Sequence, residues 1–237
     1  MHRCLGVVAV ATAVMISGCA TATTGSSPST PTATPPAAAG TAAPVSAAPG
    51  RVVETRAVSG LTAVELSSFG DLQIEQTGTE SLSVEAAPDV LPKLTSDVSG
   101  GTLRLGVAPG TTIDDARGVV YRLTVATLDG LVVSGAGDVT ASNLRADRLT
   151  VGIDGAGDVT LGGTVGSQVV TVDGAGDYDG ENLQSTDAEV TIDGAGDVVV
   201  RVSGRLDVAI RGVGSVEYIG NPQVTQSVTG AGSVEQR

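Results

Sequence analysis

Leu149-Thr150-Val151-Gly152-Ile153-Asp154-Gly155-Ala156-Gly157-Asp158-Val159-Thr160-Leu161 is the stretch whose reading decides the fold. In an extended backbone, side chains alternate between two faces. One face then reads Leu149, Val151, Ile153, Gly155, Gly157, Val159, Leu161, and the other Thr150, Gly152, Asp154, Ala156, Asp158, Thr160. The apolar parity passes through Gly-Ala-Gly unbroken, so the motif reads as strand rather than loop. Two later segments repeat the order: Val190, Ile192, Gly194, Gly196, Val198, Val200, and then Leu206, Val208, Ile210, Gly212, Gly214, Val216.

The motif itself recurs. Gly-Ala-Gly-Asp stands at 135–138, 155–158, 174–177 and 194–197, followed by Gly-Val-Gly-Ser at 212–215 and Gly-Ala-Gly-Ser at 230–233; the intervals are 20, 19, 20, 18 and 18 residues. A unit of that length cannot bury its apolar face alone, but stacked units can. The sequence therefore predicts an all-β fold, a parallel β-helix or β-solenoid of roughly 18–20-residue coils, with strands about 4.8 Å apart. Glycines at two consecutive core positions imply a narrow or bent place where opposing backbone comes close. Leu144, Val165, Leu183 and Val202 supply a second wall. Residues 131–237 hold the regular repeats, and 51–130 form irregular N-terminal coils or a cap continuous with them. Within 51–130, Thr102 to Val107 and Val119 to Val125 read as strands, Asp89 to Leu94 as a helical turn and Thr111 to Gly118 as a loop.

The start of the chain has a different character. Met1-His2-Arg3 is basic, and Leu5 to Ile16 is an apolar run too short to span a bilayer but of signal-peptide length. Ile16-Ser17-Gly18-Cys19 follows and resembles a bacterial lipobox, so 1–18 is expected as a lipoprotein signal peptide and Cys19 as the lipidated residue. Of the two cysteines, Cys4 lies in the leader, which leaves no pair for a disulfide. From 19 to 50 the chain is mostly Thr, Ala, Ser, Pro and Gly without charge, which predicts a disordered tether. Extended, it would reach roughly 90 Å. The expected location is the cell membrane, through the lipid anchor, facing outside the cytoplasm.

Val64 to Ile74, Asp97 to Leu105 and Leu128 to Asp138, taken together and in this order, resemble the head GIN domain of putative auto-transporter adhesins. The resemblance covers about residues 52–236. It implies an all-β, β-helix-related domain on an exported bacterial protein, and it carries over no catalytic residue.

Composition narrows the chemistry. The 237 residues have a formal net charge of −13 and 2% aromatics, which excludes nucleic acid as a partner. The one histidine is His2, in the leader, which removes imidazole catalysis and imidazole metal sites. Catalytic residues, metal ligands and cofactors are therefore expected to be absent. The outward face carries three columns. The first runs Ser134, Asp154, Asp173, Asp193, Arg211, Thr229, the second holds Ala or Val, and the third runs Asp138, Asp158, Asp177, Asp197, Ser215, Ser233. Asp138, Asp154, Asp158, Asp173, Asp177, Asp193 and Asp197 are the candidate surface for an envelope protein or glycan. Stacked carboxylates repel, so hydrogen bonds to backbone amides, spreading, raised pKa values or weakly bound Ca²⁺ must offset them. The spacing differs from that of calcium-binding β-rolls. The expected function is an adhesin-like, non-catalytic head. The alternatives are a purely structural envelope module and a polysaccharide-acting β-helix enzyme, for which only Phe69, Tyr121, Tyr178 and Tyr218 could stack sugars.

Overall fold

The repeat closes on itself as parallel rungs. A computed structural model describes residues 50–111, 113 and 118–237, so the leader, Cys19 and the tether fall outside the described residues, as does part of the loop expected at 111–118. In chain order the strands are β1 (Val52–Arg56), β2 (Ala63–Leu66), β3 (Asp71–Gln76) and β4 (Ser81–Ala86). A 3-10 turn at Leu91–Lys93 lies inside the helical turn expected there, followed by β5 (Leu94–Ser99), β6 (Thr102–Val107), β7 (Val120–Val125) and β8 (Gly130–Val133). Four long strands come next, β9 (Val139–Ile153), β10 (Val159–Val172), β11 (Tyr178–Ile192) and β12 (Val198–Ile210). The chain finishes with β13 (Val213–Ile219), β14 (Gln223–Val228) and β15 (Ala231–Gln236). The result is a β-solenoid of about five turns.

Each long strand supplies two walls joined at a bend. Val139, Val159, Tyr178 and Val198 line up on one wall; Ile153, Val172, Ile192 and Ile210 line up on another. The bend falls where the register slips, between Leu161 and Gly163 of β10. In β9 it is made by Asn143 at φ 60°, a conformation that Asn tolerates better than most residues. Period-2 alternation places Leu149, Val151 and Ile153, then Val170 and Val172, then Val190 and Ile192, inside the coil with no exposure. The proposed second wall is there too, with Leu144, Val165, Leu183 and Val202 all buried. The described buried residues, from Leu61 to Val216, form one core, so the unit Pro44–Arg237 carries its own hydrophobic interior.

That interior includes one polar chain. The Tyr178 hydroxyl donates to Gln168 Oε1 at 2.7 Å, Gln168 Nε2 donates to Ser185 Oγ at 2.9 Å, and Ser185 Oγ donates to the Arg201 carbonyl at 2.9 Å. Every link is closed, which is the condition under which polar atoms are tolerated in a core.

Two expectations need correction. The Gly-Ala-Gly-Asp motif keeps the alternation of burial but not the strand ladder, since strands stop at Ile153, Val172 and Ile192 and resume at Val159, Tyr178 and Val198. The motif is a stacked corner with isolated bridges in some rungs, such as Ala175 beside Ala195. Its glycines do not answer to backbone across the coil. A methyl on Gly155, Gly174 or Gly194 would land on the carbonyl oxygen of Gly135, Gly155 or Gly174, well inside the 3.0 Å that real Cβ atoms keep. None of these glycines has left-handed φ, so crowding by the preceding rung is what demands Gly.

Residues 51–130 are a cap rather than coils in sequence order. β2 and β3 form a rung equivalent to the repeats, with Leu72 beside Val139 and Phe69 bridged to Ala136, a register that sets Gly70-Asp71 beside Gly137-Asp138. This rung is sandwiched: β8 and β9 lie on one side, and β6 and β7, which come later in the chain than β2 and β3, lie on the other. Beyond them, β5 pairs antiparallel with β6, β4 with β7, and β1 with β4. The N-terminal end is thus sealed by reversed strands.

Candidate functional site

The outward columns form at the corner because each rung repeats the same handoff of backbone bonds. Ala156, Ala175, Ala195, Val213 and Ala231 donate their N–H to the carbonyl of the motif's first Gly in the preceding rung, while Val159 and Tyr178 donate to an Asp carbonyl of the following rung. Between these two directions lies the Asp N–H. Its acceptor is the Asp side chain of the rung before: Asp158 N to Asp138 Oδ1 at 3.2 Å, Asp177 N to Asp158 Oδ1 at 3.0 Å, and Asp197 N to Asp177 Oδ1 at 2.8 Å. Ser215 ends the series, giving Asp197 Oδ1 both its N–H at 2.8 Å and its hydroxyl at 2.7 Å. These two bonds from Ser215 hold the Asp197 carboxyl below the usual carboxylate range.

The third column is therefore structural. Of the ways to offset stacked carboxylates, hydrogen bonding to backbone amides is present in this column. An Asp158→Ala variant should lose about 1 kcal/mol by leaving the Asp177 N–H without its acceptor, whereas Asp158→Asn keeps an Oδ1 and should stay within ~0.5 kcal/mol. Urea unfolding of the two variants checks the difference. Equal losses would mean that charge, not the bond, sets the effect.

The first column is built differently. Arg211 Nη1 bonds both oxygens of Asp193, at 2.9 and 2.8 Å. Asp154 and Asp173 are exposed, and among the described residues their carboxylates have no hydrogen-bond or ion-pair partner. Between the columns, Ala136, Ala156, Ala175 and Ala195 lie exposed as a flat track, and Val213 continues it at 60% exposure. Among the described residues no three His, Cys, Asp or Glu side chains converge as metal ligands. Tyr121 and Tyr178, read from sequence as possible stacking residues, are fully buried, and Phe69 and Tyr218 pack partly against the core. The aromatics thus serve the interior.

Sequence reading missed one surface. Gln73 and Glu75 of β3, Ser81 and Ser83 of β4, Arg122 and Thr124 of β7, and Thr140 and Ser142 of β9 line an open groove of about 450 Å³. Arg122 is held at its edge by the buried Glu85, at 2.8 Å. No spacing signal could have assembled this set, because the cap stacks strands out of chain order.

Comparison with known proteins agrees with the architecture. The profile of the family described as "Putative auto-transporter adhesin, head GIN domain" matches residues 60–222. Among solved structures, one described as a putative adhesin from Bacteroides fragilis superposes with a TM-score of 0.67 at 23% identity, covering 80% of this chain and 98% of that one. Others described in the same terms come from Parabacteroides distasonis and Parabacteroides merdae. The first has a TM-score of 0.51 at 18% identity and covers 79% of this chain and 97% of its own. The second has a TM-score of 0.50 at 16% identity and covers 81% and 98%. No curated protein matches the chain. At these identities the structures speak for the fold.

Proposed function

Because the chain belongs to the family of putative auto-transporter adhesins with a head GIN domain, we propose that it is an exported lipoprotein whose head is a non-catalytic contact surface. Cys19 carries the lipid, the segment to residue 50 spaces the head from the membrane, and the first outward column meets the partner. The observation that carries this reading is the division of labour between the two acidic columns. Third-column carboxylates are occupied in bonds between rungs, while Asp154 and Asp173 stand exposed and unpaired beside a track of small side chains. Flat, rigid and acidic, such a face suits a broad partner with cationic or hydroxyl-rich groups, an envelope protein or a glycan, better than a small substrate.

The test uses immobilised head, residues 44–237, and fractionated native envelope. Saturable capture that weakens at least tenfold in Asp154→Ala/Asp173→Ala, with thermal stability unchanged, supports the reading. Capture unaffected by the double substitution would move the contact elsewhere on the head. A companion check concerns the anchor: Cys19→Ala should abolish labelling of the full chain by a radiolabelled fatty acid, and labelling that persists would remove Cys19 from the account.

A further inference from the structure

The groove over β4, β7, β3 and β9 takes no part in the acidic columns, and the strand register gives its plan. Ser83, Arg122, Gln73 and Thr140 stand side by side, one on each of the four strands. Two residues along, a second row sets Thr124 beside Glu75 and Glu75 beside Ser142. Neighbours are about 4.8 Å apart across the strands and roughly 7 Å apart along them, a pitch on the scale of a pyranose ring. Each of these side chains carries a hydrogen-bonding group. Ile74 and Leu123, between the rows, turn inward and are buried. Arg122 is anchored, since its Nη1 bonds the buried Glu85 at 2.8 Å, and among the described residues its Nε and Nη2 make no hydrogen bond. Glu75 is its complement: Oε1 accepts from the Asn143 amide at 3.2 Å, and Oε2 has no partner among the described residues.

The geometry points to a neutral glycan as the ligand of this groove, at a site separate from the acidic face. Three observations select it. β7 and β3 each have a paired strand on both sides, so their main chain is engaged in the ladder and a ligand cannot join it as another strand. With no apolar side chain standing out of either row, the groove also lacks a place for the side chains of a peptide. It combines a donor-only group, Arg122, an acceptor-only group, Glu75, and hydroxyls and an amide that do both. A ligand whose every hydroxyl both donates and accepts can answer all of them. Charge agrees with neutrality. Glu85 offsets Arg122, which leaves Glu75 in excess within a chain of net charge −13 and offers nothing to an acidic ligand, while the guanidinium in the first row opposes a cationic one. The volume of about 450 Å³ falls within the range of small-ligand sites, about 300–1,000 Å³. Among the described residues no aromatic ring lines it, so binding rests on hydrogen bonds and belongs to the millimolar class.

The test is an amide-shift titration of nitrogen-15-labelled head, residues 44–237, with trisaccharides of glucose, mannose and galactose up to about 50 mM. An oligogalacturonate and a lysine-rich peptide run beside them as the acidic and cationic probes. At least one neutral sugar should give saturable shifts centred on Gln73, Thr124 and Ser142. Gln73→Ala/Thr140→Val removes two exposed side chains that make no hydrogen bond among the described residues. It should weaken that binding at least fivefold while the melting temperature stays unchanged. Absence of saturable shifts from all three sugars overturns the inference, as does tighter binding of the acidic or cationic probe, or sugar binding that ignores the double substitution. Asp154→Ala/Asp173→Ala should leave the sugar titration as it is, so the groove and the acidic face are tested separately. A loss of sugar binding in that variant would move the sugar to the acidic face and overturn the groove site.

Discussion

Gly174→Ala is expected to cost about 3 kcal/mol or more. The new Cβ would collide with the Gly155 carbonyl oxygen and the Asp154 backbone, neither of which has a rotamer to retreat into. Relief requires lifting one rung from the next, which breaks the Asp173, Gly174 and Ala175 N–H bonds to the rung below. Overpacking a tight site costs ~1–3 kcal/mol where side chains can adjust; here the obstacle is main chain. For a domain of this size that corresponds to a fall of about 6–12 °C in melting temperature. Gly152→Ala is the internal control, since its Cβ would meet Val132 methyls at 3.8 and 3.9 Å and Asp154 Oδ1 at 4.0 Å, all ordinary contacts, and should change stability by less than ~1 kcal/mol. Position along the solenoid adds a second comparison. Gly230→Ala makes the same collision, with the Gly212 carbonyl, but in the last rung, where nearest-neighbour coupling lets one coil detach while the others hold. Thermal unfolding followed by circular dichroism ranks the three. Similar melting temperatures for Gly174→Ala and Gly152→Ala would refute the crowding account.

The same contrast marks what could be read from sequence and what could not. The period, the inward residues and the outward columns were legible because a stacked repeat converts sequence spacing directly into spatial neighbours. Leu149 and Gln168, nineteen residues apart, pair because 19 is one coil. The meaning of the glycines was only half legible. Parity placed them at core positions, but which backbone they approach depends on the turn of the chain at the corner, and alternation cannot specify that. The cap was least legible. Val64 to Ile74 was recognisable as part of the family pattern, yet nothing local records that β6 and β7 would slip beneath it, because that order is set by antiparallel pairings of β4 and β5. The acidic columns were legible as positions and not as roles. Asp158 and Asp154 are alike in sequence, and only the direction of the Asp177 N–H distinguishes a structural carboxylate from a free one.

Gln168 occupies an inward position that Leu149 fills in one neighbouring rung and Ala188 in the other, and that exception makes the second large prediction. The side chain is 1% exposed and stands between the Tyr178 hydroxyl and Ser185. Burial pushes the Tyr178 hydroxyl far above its ordinary pKa, so it stays protonated and donates throughout the range in which the protein is folded. Removing one end of such a chain strands the other in a medium with no substitute partner. Tyr178→Phe should cost about 2 kcal/mol by leaving Gln168 Oε1 unbonded, and Gln168→Leu a similar amount by leaving the Tyr178 hydroxyl unbonded. The double variant Tyr178→Phe/Gln168→Leu deletes both orphans while nearly preserving volume, so it should cost no more than either single change. The expected coupling is about 2 kcal/mol, measurable by a urea-unfolding cycle whose m-values stay constant. Strict additivity, with a double loss near 4 kcal/mol, would mean that the solenoid loses packing rather than hydrogen bonds at this position. The polar chain links β10, β11 and β12 across three rungs, so a cycle that closes as expected would make it a pin on their register, where uniform Val and Ile ladders specify register weakly.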